Sequence, residues 1–157
     1  MDRAAGYLVK AFFSEGLEQL LWHIATLEAL AGQPDRAIAS LRERVSLICQ
    51  QTNDGKKSVM KKVNHLYDLR SGFVHGSKIS EDESAERLFE GRSLARRTVV
   101  WFLHYLAHVR AQSVGIENLP EQKDLLRLLD LGQGDVLKAK EVLQNLPIDF
   151  PLVSGWS

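Results

Sequence analysis

Arg70 and His75 are the residues of this 157-residue chain whose types and spacing best suit chemistry. A guanidinium grips a phosphate or carboxylate through paired hydrogen bonds, and an imidazole gives or takes a proton near neutral pH. Both belong to a helix expected over about 56–75. At roughly 100° per residue, Val59, Val63, Leu66, Phe73 and Val74 fall on one apolar face of that helix. Arg70 falls in the middle of this stripe, whereas Lys61 and Lys62 lie off it. A charge on a core face is costly unless it is paired or sits in a wet cleft. A second helix carries the complementary anomaly. Its stripe is Leu17, Leu20, Leu21, Ile24 and Leu27, and Glu28 lies within it. Glu28 and Arg70 are therefore expected to meet. They form either part of a site or an ion pair that only joins two helices.

His75 points elsewhere. Five residues correspond to about 140° around a regular helix, so His75 and Arg70 do not share a face. They converge only if the last turn loosens, which Gly72 would ease, or if a second chain completes the site. Otherwise His75 simply caps its helix.

The stretch Leu66-Tyr67-Asp68-Leu69-Arg70-Ser71-Gly72-Phe73-Val74-His75-Gly76 resembles the signature helix of the HEPN superfamily, most closely its ApeA-like branch. That signature is arginine, a polar residue, three or more variable positions, then histidine. The segment 21–32, with Leu27-Glu28-Ala29-Leu30, is similar to the branch's earlier helix. The resemblance spans roughly Leu17 to Arg110. It implies a helical bundle that forms a homodimer through the motif helix, near a two-fold axis. In active members it implies a metal-independent endoribonuclease without a cofactor, which cleaves by attack of the RNA 2′-hydroxyl on the adjacent phosphate. On that resemblance Arg70 and His75 are catalytic. Arg70 would hold the phosphate and His75 would move protons. Glu28, Ser71, Tyr67 and Asp68 would support them. A toxin or phage-defence effector is implied, with an antitoxin or a fused domain as partner. Active members often carry Asn, Asp or His after the arginine, where this chain has Ser71, a residue common in the ApeA-like branch. The alternative within the family is a non-catalytic module for dimerisation or for nucleotide or RNA binding.

Local charge fits a polyanion. Between positions 56 and 78 stand Lys56, Lys57, Lys61, Lys62, Arg70 and Lys78 against Asp68 alone. These lysines are the expected RNA contacts, unless they are only a solvated helix face. Arg92, Arg96 and Arg97 form a second basic cluster. Over the whole chain Lys plus Arg equals Asp plus Glu at 20 each, so net charge steers the protein to neither nucleic acid nor membrane.

The elements that must position these residues are helical. The sequence predicts an all-α bundle of about five main helices plus a short helical C-terminal tail. One domain is expected over 1–157, HEPN-like on the resemblance above, with its core at about 2–112 and a helical extension over 113–157. The first helix covers Asp2–Phe13, with Leu8, Val9, Phe12 and Phe13 on its inner side. Ser14 is the expected N-cap of the second, which Gly32 and Pro34 end. The third reaches about Gln50, and Thr52 to Gly55 reads as a loop. Gly76 suits the left-handed cap after the fourth. The fifth starts at the acidic run Glu81, Asp82, Glu83 and Glu86 and reaches about Gln112. The tail shows helices near 120–131 and 135–145, then a proline-broken end.

His104 and His108, one turn apart, lack the further ligands of a metal site, so no metal is expected. Cys49, the one cysteine, excludes an internal disulfide and reads as a small core residue in a reducing, cytoplasmic setting. The longest apolar run is too short to span a membrane. Met1 abuts helix-like sequence, as it would in one domain cut from a longer chain.

Overall fold

The computed structural model describes residues 2–33, 37–49, 52–76, 81–112, 121–131 and 138. They form six helices: α1 (Asp2–Phe13), α2 (Gly16–Ala31), α3 (Ala37–Cys49), α4 (Asn53–Val74), α5 (Glu81–Gln112) and α6 (Gln122–Leu131). The described residues contain no strand, and the fold is an all-α bundle. No helix among them is long and apolar enough to cross a membrane. The expected tail helix near 135–145 and the proline-broken end lie outside the described residues, apart from Lys138.

The bundle is organised around α2 and α5. Leu20, Ile24, Leu27 and Ala31 of α2 meet Leu41 and Val45 of α3, Val59, Val63, Leu66 and Leu69 of α4, and Leu94 and Ala95 of α5. Gly91 lets α2 and α5 approach, because a Cβ there would stand 2.9 Å from Leu20 Cδ1. A second cluster joins Ala4, Leu30, Leu47 and Ile48 to Trp101, Phe102 and Tyr105 of α5. Leu125, Leu126 and Leu129 of α6 complete that cluster, so α6 shares the same core.

Three local expectations change. The first concerns α1, which turns Ala4 and Ala11 inward and leaves Val9, Phe12 and Phe13 at 57%, 79% and 80% exposure. Small residues seven apart let α1 lie close against α2, where Tyr7 stacks on Trp22 at 5.6 Å and Lys10 stands 4.4 Å from the same ring. The second is the cap of α2. Ser14 does not hold the position; Glu15 does, with no side-chain hydrogen bond, and Gly16 turns the corner at φ +55°. Third, α4 begins earlier than expected. The Thr52 hydroxyl accepts a hydrogen bond from the Gly55 amide at 3.1 Å, so residues expected as a loop become a capped first turn.

Candidate functional site around Glu28, Tyr67 and Arg70

Glu28 lies near the C-terminus of α2, four residues before Gly32. A Cβ at residue 32 would fall 2.5 Å from the Glu28 carbonyl oxygen, so the chain leaves α2 here through a glycine. Tyr67 and Arg70 stand three residues apart on α4, as neighbours on one side of the helix. Arg70 Nη1 donates to Glu28 Oε1 at 2.7 Å, and the Tyr67 hydroxyl donates to the same oxygen at 2.7 Å. The guanidinium carbon is 5.7 Å from the centre of the Tyr67 ring. One carboxylate oxygen thus gathers an arginine and a phenol from a second helix, and the expected meeting of Glu28 and Arg70 is present. Burial, the hydrogen bond to Glu28 and the Glu28 charge push the Tyr67 phenol well above its ordinary range, while the Arg70 charge opposes them. Tyr67 is a fixed donor to Glu28 and stays protonated.

The surroundings of Arg70 differ from the sequence expectation. Its side chain is 41% exposed and that of Glu28 is 39% exposed. The buried members of the α4 stripe are Val59, Val63, Leu66 and Leu69, together with Lys56. Phe73 and Val74, expected as core, are exposed at 44% and 69%. The stripe keeps its angular direction, but its C-terminal part extends beyond the buried core. Arg70 stands where core gives way to solvent, and that is how a charge occupies the apolar face. Nη1 is engaged by Glu28, and the side chain as a whole remains partly open to solvent.

His75 is the C-cap of α4, at φ −90° and ψ 8°, and Gly76 follows at φ +73°. The His75 amide donates to Ser71 O at 3.0 Å and the Gly76 amide to Phe73 O at 3.1 Å, so α4 closes without unwinding. His75 is exposed. Its ridge of α4 is that of Lys57, Lys61, Asn64, Asp68 and Ser71, spaced by alternating fours and threes. Asp68 and Ser71 are exposed there, and neither belongs to the Glu28 cluster. The structure therefore unites Glu28, Tyr67 and Arg70 and leaves His75, Ser71 and Asp68 on another side of the same helix.

The lysines separate in the same way. Lys56 is 8% exposed and its Nζ lies 2.7 Å from Glu43, so it joins α4 to α3 and is not presented to solvent. Lys62 pairs with Glu90 at 3.6 Å, and the exposed Lys57 stands 3.6 Å from Asp54. Lys61 is exposed. Lys78 lies outside the described residues.

Two buried basic residues did not figure among the sequence candidates for a site. Arg44 is fully buried; its Nε donates to Asp130 Oδ1 at 2.7 Å, its Nη2 to Asp130 Oδ2 at 2.5 Å, and its Nη1 to Ala31 O at 2.8 Å. The same stripe test finds it, because Leu41, Arg44, Val45 and Ile48 share one face of α3. His23 is 4% exposed, and neither ring nitrogen has a hydrogen-bond partner among the described residues. Burial, aided by the Arg92 charge, pushes it down to about 4, so it is neutral at physiological pH.

Cys49 lies 3.9 Å from the Thr98 hydroxyl, and burial pushes its thiol up to about 11, which suits a packing role and not a nucleophile. No group of three or more His, Cys, Asp or Glu that could hold a metal ion occurs among the described residues. Comparison with family models, with curated proteins and with solved structures finds no match for the chain.

Proposed function

We propose that this protein is a metal-independent endoribonuclease of the HEPN type, built from two copies of the chain. The observation that carries the proposal is the Arg70 side chain, partly exposed near the end of the motif helix and held through Nη1 by Glu28. Fixing one nitrogen limits the rotation of the group and turns its remaining donors toward an incoming anion. RNA would place a phosphate against Arg70. The 2′-oxygen forms a bond to phosphorus and loses its proton, and the P–O5′ bond breaks as the 5′-oxygen gains one. The products are a 2′,3′-cyclic phosphate and a 5′-hydroxyl. His75 would carry the proton at one of these two oxygens, and Arg70 would offset the charge that grows on the phosphate.

His75 stands about 140° around α4 from Arg70, so the two groups meet across a two-fold axis, Arg70 of one copy with His75 of the other. The exposed Phe73 and Val74 beside them supply apolar surface for that contact. Tyr67 would hold Glu28 in place, while Ser71 and Asp68 line the His75 side. Lys57 and Lys61, on the His75 ridge, would extend the grip on the RNA backbone. A cytoplasmic toxin or defence effector, restrained by an antitoxin or a fused domain, is the setting this activity fits.

A second reading, a non-catalytic HEPN module for dimerisation or for nucleotide or RNA binding, draws support from the same ion pair. Arg70 already has a carboxylate of its own chain, as a residue with a purely structural duty would. Incubation with labelled RNA in EDTA separates the two. Cleavage is expected without metal, and Arg70→Ala and His75→Ala should each lower the rate at least about a hundredfold. Cleavage that needs added divalent metal, or that survives both substitutions, would overturn the catalytic proposal.

A further inference from the structure

The outer face of α5 takes no part in that site. From Gly91 to Gln112 the helix contains four arginines and no Asp or Glu. Arg92, Arg96 and Arg97 are exposed, and none forms a salt bridge among the described residues. This sets them apart from Arg44, Lys56, Lys62, Arg70 and Arg87, each of which holds a carboxylate. Phe89 lies three residues before Arg92 and seven before Arg96, on the same face, with 74% of its surface exposed. Leu103, seven residues after Arg96, continues the line at 51% exposure.

Exposed arginines attract phosphates, and an exposed aromatic ring offers a platform on which any base can stack. Anionic lipid would satisfy the charges, but a membrane-binding helix keeps its apolar and basic residues on opposite faces. Here Phe89, Arg92, Arg96 and Leu103 share one face, so a ring and guanidinium groups would meet a ligand together, as the base and phosphates of one strand require. We infer that this α5 face binds single-stranded RNA, with Arg92, Arg96 and Arg97 on its phosphates and Phe89 stacked on a base. The choice of RNA rests on the ribonuclease proposal, and the face is a second surface, separate from Arg70 and His75.

Fluorescence anisotropy with a fluorescein-labelled oligouridylate tests this, using the full chain with His75→Ala so that the probe stays intact. Arg92→Glu/Arg96→Glu/Arg97→Glu should weaken binding at least tenfold. It should also flatten the dependence of log affinity on log salt by about 2, at roughly 0.7 per phosphate contact. Phe89→Ala should weaken binding about five- to a hundredfold with the salt slope unchanged, and Phe89→Trp should retain it. Should the triple variant fail to fold, Arg96→Ala alone, at an exposed position, gives the same test on a smaller scale. Unchanged affinity in these variants overturns the proposal. So does equal, equally Phe89-dependent binding to phosphatidylserine vesicles, or a Phe89→Ala variant that only converts a dimer to monomer. Cleavage by the His75 parent is scored separately. Arginine-dependent binding without cleavage removes the ribonuclease proposal and leaves this face. Cleavage with normal binding by the α5 variants removes the face and leaves the ribonuclease.

Discussion

Arg44 and Arg70 each hold a carboxylate on another helix, in opposite surroundings. Arg44 has no exposed side-chain surface; it binds Asp130 through two nitrogens and spends a third on the Ala31 carbonyl. Arg70 is 41% exposed and binds Glu28 through one nitrogen. A buried guanidinium must satisfy its donors within the protein, because an unmet buried charge costs several kcal/mol. A half-exposed one can leave donors to water, and therefore to a ligand. The number of nitrogens left over, more than the presence of an ion pair, separates an arginine that ties helices together from one that can serve a site.

Breaking each pair should show the contrast. The largest effect is expected at Arg44. Arg44→Ala should lower stability in urea by about 2–4 kcal/mol, because the buried Ala31 carbonyl and the partly buried Asp130 lose their partner and a core volume is emptied, and Arg44→Met/Asp130→Leu should recover most of it. His23 comes next, as a buried basic group with no partner at all among the described residues. Its folded value of about 4 lies below the ordinary 6.5, so the unfolded chain takes up a proton that the folded chain refuses. Its share of stability is complete above pH 6.5 and is lost as pH falls from 6.5 toward 4. His23→Leu should flatten the fall of the melting temperature over that window, and a variant that melts in parallel with the parent would show that other groups drive it. Tyr67→Phe should cost about 1 kcal/mol by removing one hydrogen bond to a charged, partly solvated acceptor. Smallest of all, Arg70→Ala should change stability by less than about 1 kcal/mol while lowering RNA cleavage by two orders of magnitude or more. An Arg70 variant as unstable as the Arg44 variant would erase the distinction between the two arginines.

Much of this arrangement can be read from the residues. The meeting of Glu28 and Arg70 was legible because each charge interrupts the apolar stripe of a long helix, and opposite signs name the partner. The boundaries of α1, and the C-termini of α2, α4 and α5, follow from periodicity and from glycine. What stayed hidden depends on partners distant in sequence. Periodicity shows which side of α1 or α4 is apolar, but not whether anything covers it. Phe12, Phe13, Phe73 and Val74 are exposed because their helices run past the core or turn smaller residues inward. Lys56 reads as a surface cation until Glu43 of the preceding helix reaches it. Arg44 waits for Asp130, 86 residues away, to explain its place on an apolar face.

Glu28 Oε1 accepts from both Tyr67 and Arg70, and this sharing gives the site a property that neither donor has alone. Glu28 is a counter-ion tethered to the chain and held by the phenol as well as by the guanidinium. A phosphate that reached the remaining donors of Arg70 would share the cation with this resident carboxylate. It would release fewer mobile salt ions than at a bare arginine, so added salt would weaken its capture less. A stray monoanion would gain little from a cation already shared, whereas a phosphate inside a longer polyanion would be held by its other contacts. The acidic residue would then set a threshold for entry to the proposed site.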